Sequence, residues 1–199
     1  MRTRTTALAT IAVLAATLTA CSEPEQGKAE RAAASTSSSA ASSPASDTPT
    51  EAAEEKPDTE LAVGDTFAYS DGLKAKVDSI TTITKWGEYD SKPDGDQTPF
   101  RVTFTVTNGT KKPYDMDSFG FNAEGATTGG QTEFLYVEEG SKQAGGRIAA
   151  GRSATFTSEY SLAKSGGKEV LFTMSRSDDA WLESGSFLGD DPNWTGTIK

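Results

Sequence analysis

"RVTFTVT", residues 101–107, alternates apolar and polar side chains with a period of two. Val102, Phe104 and Val106 fall on one side of an extended chain, while Arg101, Thr103, Thr105 and Thr107 fall on the other, the pattern of a strand with one buried face. The residues that follow, "NGTKKP" (108–113), supply Asn, Gly and Pro, each suited to a turn for its own backbone reason, so the strand ends there.

The same reading extends in both directions. In "DTFAYSDGLKAKVDSI" (65–80), Phe67 and Tyr69 precede an Asp71-Gly72 turn, after which Leu73, Ala75 and Val77 alternate with Lys74, Lys76 and Asp78: a hairpin. Further strands are predicted at "SFGFNA" (118–123), "EFLYVEE" (133–139), "SATFTSEYSL" (153–162) and "EVLFTMS" (169–175), with others through "DAWLE" (179–183) and the closing "WTGTIK" (194–199). About seven short strands separated by turns indicate an all-β fold, an antiparallel sandwich or barrel. The intervening segments are too short for the crossover helices that a parallel sheet needs.

Composition changes sharply before residue 61. Residues 22–60 are almost entirely Ala, Ser, Thr, Pro and acid, without one aromatic side chain, and cannot bury enough apolar surface to offset the entropy of ordering. They are expected to form a disordered tether, with a coil reach of roughly 35 Å. Residues 61–199 are read as one domain, long enough to bury about two-thirds of its unfolded surface in a single core.

The chain begins MRTRTT and continues ALATIAVLAATLTA before Cys21, which gives a basic start, a short apolar run and small residues: a secretory signal over residues 1–20. The run falls short of the ~20 apolar residues of a membrane span. Leu18, Thr19, Ala20 and Cys21 resemble the bacterial lipobox, where a signal peptidase reads the small residues and cuts before a lipid-modified cysteine. That resemblance implies that Cys21 becomes the acylated N-terminus of a lipoprotein on the extracytoplasmic face of a bacterial membrane, with the bilayer as first partner. Two chains or more anchor stably where a single one binds reversibly.

Cys21 is the sole cysteine, so the domain must fold without disulfides, and histidine is absent altogether. No Ser-His-Asp or Cys-His catalytic set can be assembled, nor a zinc or copper site of the usual imidazole and thiolate type. No cofactor is expected. The formal charge is −10, and residues 61–199 carry 20 acids against 14 bases, which argues against nucleic acid as a partner.

Several stretches together resemble a known family. "VGDTF", "FRVTFTVTNGTKKPY", "SFGFNAEG" and "IAAGRSATFTSEYSLAKSG" look like the immunoglobulin-like domain of unknown function 4352, which recurs in lipoproteins of Gram-positive bacteria and has secreted mycobacterial antigens of similar sandwich fold as relatives. The resemblance spans most of residues 61–183 and implies an immunoglobulin-like β-sandwich; it implies no activity. The insert "TKWGEYDSKPDGDQTP" (84–99) and the tail from residue 186 are not expected from it.

The insert gathers the candidate binding residues Trp86, Tyr89, Asp90, Asp94 and Asp96. Their carboxylates are hard oxygen donors of the kind calcium takes, but the spacing is not that of a calcium loop, and no metal site is assigned. Trp181 and Trp194 read as core or edge-sealing side chains, and Glu138 and Glu139, adjacent on a predicted strand, point to opposite faces and form no glycosidase pair. The function expected is a non-catalytic binding module presented to an envelope protein or glycan. The alternatives are a calcium- or ion-responsive accessory of an envelope transporter or sensor, and an enzyme acting on glycans with carboxylates alone.

Overall fold

A computed structural model of the protein describes residues 27–32, 59–183 and 191–199. The lipobox residues Leu18, Thr19, Ala20 and Cys21 lie outside this range, as does most of the expected tether.

The strand that opened the reading is the centre of the fold. Here called β5, it runs Gln97–Asn108, and from Phe100 to Asn108 its residues alternate buried and half-exposed, as the period of two requires. The preceding hairpin is β3 (Thr66–Tyr69) and β4 (Leu73–Thr82), closed by Gly72 at φ 97°, a conformation open to glycine without cost. β10 (Arg152–Ala163) pairs with β5 along its whole length, with Phe156 opposite Phe104.

These strands, with β1 (Gly27–Glu30) and β8 (Thr132–Phe134), make a six-stranded sheet in the order β1-β3-β4-β5-β10-β8. A second sheet runs β2-β12-β11-β7, from β2 (Glu60–Ala62), β7 (Phe119–Gly125), β11 (Glu169–Arg176) and β12 (Asn193–Thr197). A ribbon of β6 (Tyr114–Asp115) and β9 (Arg147–Ile148) flanks them. The inner faces of both sheets meet in one apolar cluster that includes Phe67, Val102, Phe104 and Leu162 from the first sheet and Leu61, Val170, Phe172 and Trp194 from the second. The Phe104 ring lies 4.8 Å from Phe121 and 5.8 Å from Phe172, so aromatic contacts join the layers. The molecule is an all-β sandwich. Among the described residues the strand pairs are antiparallel except β2 with β12, where nearly the whole domain serves as the crossover.

The structure corrects three expectations. Residues 27–30, inside the expected disordered tether, form β1 on the edge of the six-stranded sheet, Gly27 opposite Tyr69 and Glu30 opposite Thr66. Composition misled because an edge strand docks through main-chain hydrogen bonds, which need no apolar side chains. Local fit completes it: Gly27 lies so close to the Phe67 ring that a Cβ would stand 2.6 Å from it, Glu30 pairs with Lys74 at 2.8 Å, and the Ala32 amide donates to Asp65 Oδ1 at 2.6 Å. Second, "DAWLE" is a short helix, α1 (Asp179–Glu183), because the Asp178 carboxylate accepts from the Trp181 amide at 3.1 Å and so caps its start. Third, of "EFLYVEE" only the beginning is strand; Leu135 and Val137 bury while Phe134 and Tyr136 stay exposed, and Glu138 and Glu139 lie in the loop beyond.

Leu135 and Val137 bury themselves on the outer face of the large sheet, with Ile83 and the partly buried Trp86. On the same face Glu159 is 1% exposed; its Oε1 accepts from Arg101 Nε at 2.7 Å and its Oε2 accepts from Ser141 Oγ at 3.2 Å. The "outward" side of β5 is therefore half covered.

Candidate functional site

The β4–β5 connection, residues 83–96, stands at one end of the sandwich, and the structure gives each of its candidate residues a distinct place. Trp86 packs on Ile83, Leu135 and Val137 and also walls a groove of about 540 Å³ between the insert and the turn after β10. Pro93, Asp94, Lys92, Lys164 and Lys168 line the same groove. Tyr89 is 76% exposed and makes none of this cover.

Asp90 holds the loop in shape. Its Oδ2 accepts from the Gly87 amide at 2.6 Å and its Oδ1 from the Glu138 amide at 2.7 Å, and the Ser91 amide donates to the Tyr136 carbonyl at 3.1 Å. These amide hydrogen bonds hold the Asp90 carboxyl below the ordinary carboxylate range. Asp94 and Asp96 have exposed side chains and act through their carbonyls, which accept from the Gln97 and Lys164 amides at 3.1 and 2.8 Å. Lys164 Nζ donates to the Gly95 carbonyl at 2.6 Å and ties the insert to the far side of the groove. Among the described residues, no three of Asp, Glu, His and Cys gather in a way that could hold a metal ion.

Stitched to the insert through Asp90 and Ser91, the 134–138 segment adds Phe134 and Tyr136, 62% and 54% exposed. They alternate with Leu135 and Val137, which bury on the outer face of the sheet, so both project from the opposite side of the segment. Phe134 rests edge-on against Tyr160 at 6.0 Å. Tyr89, Phe134 and Tyr136 thus stand exposed on neighbouring segments, with Glu133, Glu138 and Glu139 exposed among them. Such a surface can stack against planar apolar faces and accept hydrogen bonds. Sequence reading found Trp86 and Tyr89 but missed Phe134 and Tyr136, which it placed on an ordinary strand.

A second cavity, about 630 Å³, opens at the opposite end, where the 109–113 loop meets the Asp71-Gly72 turn. The two turns touch there: a Cβ on Gly109 would collide with the Gly72 carbonyl oxygen. Arg176, its side chain 1% exposed, is held beside this cavity between the rings of Tyr69, Trp181 and Tyr114, at 4.7, 4.7 and 5.2 Å. Its Nε donates to Asp178 Oδ2 at 2.9 Å and its Nη2 to Asp71 Oδ2 at 3.0 Å, while the Tyr114 hydroxyl also donates to Asp178 Oδ2 at 2.9 Å. Burial alone would lower the guanidinium's pKa, but the Asp71 hydrogen bond and the surrounding charges outweigh it and hold the group above its ordinary range. Burial pushes the Tyr69 and Tyr114 hydroxyls up, against the opposing Arg176 charge. The cluster pins the β3–β4 turn, β6 and α1 together. In sequence these residues are scattered from 69 to 181 and share no motif, so no local signal could have found them.

No family model matches the chain, so the resemblance to domain of unknown function 4352 rests on the quoted motifs alone. No curated protein matches either. Among solved structures, the chain is similar to ycdA of Bacillus subtilis, described as a candidate lipoprotein, with TM-score 0.46 and 19% identity over 64% of this chain and 37% of that one. It therefore spans little more than a third of that protein's length. The yjhA protein of Bacillus subtilis gives a TM-score of 0.48 at 13% identity, over 70% of this chain and 99% of that one. A β-sandwich protein of uncharacterised role from Clostridium difficile 630 gives 0.40 at 12%, over 74% and 98%. All three scores fall below 0.5. No helix among the described residues is long and apolar enough to cross a membrane.

Proposed function

We propose that the protein is an extracytoplasmic lipoprotein, anchored through acylated Cys21, whose sandwich serves as a non-catalytic binding module with the insert end as its working surface. The supporting observation is how side chains divide at that end. Asp90 and Trp86 hold the loop, whereas Tyr89, Phe134 and Tyr136 stand exposed on the insert and on the segment tied to it. Rigid sandwiches carry recognition on such loops, because the scaffold tolerates variation there. Exposed aromatic rings with hydrogen-bonding groups between them suit a hydroxyl-rich glycan or a protein surface of the cell envelope. The lipid anchor rests on the LTAC sequence and its position after a secretory signal.

The test has two arms. Cys21→Ala should leave unprocessed precursor or release the protein to the medium; normally processed, membrane-retained protein would sink the anchor. For the module, the lipidated protein is crosslinked in intact cells and compared with a Tyr89→Ala/Phe134→Ala/Tyr136→Ala variant. Envelope material recovered with the native surface and lost with the variant supports the reading. Equal recovery refutes the assignment of the insert end.

A further inference from the structure

Gly27, the first residue of β1, lies only six residues after Cys21. At a maximum of about 3.6 Å per residue, this connection spans no more than roughly 20 Å, whatever its conformation. The β1 register then decides which end of the sandwich the short connection enters. Gly27 pairs with Tyr69, the last residue of β3, immediately before the Asp71-Gly72 turn. Leu73, just after that turn, pairs with Asn108, the residue that leads into the 109–113 loop. The chain from Cys21 therefore enters at the end carrying Gly72, Lys111 and Lys112. The insert lies at the other end of β5, whose 12 residues extend about 40 Å.

Building on the lipoprotein reading, we propose that the sandwich stands on the bilayer with its Asp71-Gly72 and 109–113 end against the lipid headgroups, so that the insert points away from the membrane. Because β1 pairs ahead of residues 33–58, that stretch does not lie on the path from Cys21 to the sandwich and its length does not set the height.

The surface at this end is compatible with a headgroup layer. Lys111 and Lys112 are exposed, with no ion pair among the described residues, and Arg152 is exposed at the adjoining start of β10. The acids Asp71 and Asp178 are engaged by Arg176, and Asp115 by Arg147. α1 contributes Leu182, 45% exposed, together with the exposed acids Asp179 and Glu183, so the face is not strongly basic. The short connection, not charge attraction, sets the orientation.

The test uses energy transfer from a dye on the protein to acceptor-labelled headgroups, with full-length lipidated protein in vesicles of phosphatidylglycerol and phosphatidylethanolamine. Acylation blocks the native cysteine, so Lys112→Cys and Ala126→Cys, both exposed and at opposite ends, give single dye sites. Transfer from position 112 should exceed that from position 126 severalfold. Gly27→Val, which places side-chain atoms against Phe67, should undock β1 and level the two signals. A separate variant with about 20 Gly/Ser residues inserted after residue 24 leaves every described residue intact and should level them equally, because its connection reaches past the sandwich. Equal transfer from both sites in the parent protein, or a contrast that survives the insertion, overturns the proposal. The mass of the mature N-terminus separates the two readings: a Cys21 without lipid overturns the anchor and the orientation together, whereas lipidated Cys21 with equal transfer overturns the orientation alone.

Discussion

Arg101→Met should be among the most damaging single changes outside the main core, and the structure gives its scale. Glu159 is 1% exposed and receives two side-chain donors, Arg101 Nε at 2.7 Å and Ser141 Oγ at 3.2 Å. Methionine keeps much of the stem's packing but removes the charge, leaving a buried carboxylate with one long hydroxyl contact. Removing one partner of a buried ion pair costs about 3–5 kcal/mol. Arg101 itself is 19% exposed, so water can enter from its side and the cost should fall near the lower figure. The contact from Arg101 Nη2 to the Glu139 carbonyl at 2.7 Å is lost as well, which loosens the cover over β10. About 3 kcal/mol corresponds to a fall in Tm of roughly 10 °C for a domain of this size. The assay is urea unfolding of the parent, Arg101→Met, Glu159→Leu and the double variant. The double variant should recover most of the loss, since an apolar pair of similar volume can replace a buried ion pair with little penalty. A single-variant loss under about 1 kcal/mol, or a double variant no better than Arg101→Met, would refute the claim that a desolvated carboxylate is what Arg101 stabilises.

Three further outcomes follow from the same structure. Phe104→Ala should cost about 3–5 kcal/mol in urea unfolding, because the ring is fully buried between the two sheets; a loss below 2 kcal/mol would mean that the layers close over the gap. Alkaline stability should hold to pH 10 and then fall: burial pushes the Tyr160 hydroxyl up to about 12, so between pH 10 and 12 the unfolded chain ionises while the folded one does not. That stabilisation is present below the unfolded pKa and is lost as pH rises, by roughly 1.4 kcal/mol per unit for each such tyrosine, and a flat melting profile across this window would contradict it. Asp90→Ala should speed amide hydrogen exchange at Gly87 and Glu138 while leaving β5 protected, and unchanged exchange at both amides would show that other contacts hold the insert.

Much of the sandwich could be read locally because one-face burial writes itself into sequence with period two. Residues 100–108 of β5 bury in the predicted alternation, and the hairpin around Gly72, β7 and β11 follow the same logic, whereas β10 buries both faces from Thr157 to Leu162. The reading failed where the partner of a segment is remote. The alternation places Arg101 on the face away from the core, yet there it pairs with a buried glutamate that β10 brings alongside. "DAWLE" became helix because Asp178 caps it and Trp181 closes over Arg176. Half of the candidate surface was visible as the aromatic insert; the rest was not, since Phe134 and Tyr136 become a patch only once Asp90 and Ser91 stitch the two loops together.

The amino-acid sequence alone decided the fold class, the absence of disulfides and histidine chemistry within the chain, and the signal-like start that leads to Cys21, because each of these depends on composition or on neighbours a few residues apart. Tertiary structure decided the rest. It showed that GKAE, polar and featureless by composition, completes the edge of a sheet, and that Arg176 collects Asp71, Tyr114 and Asp178 from distant stretches of chain. The physical reason is the same in both cases: main-chain pairing and the desolvation of a charge depend on what the rest of the chain brings alongside, and no local pattern records that.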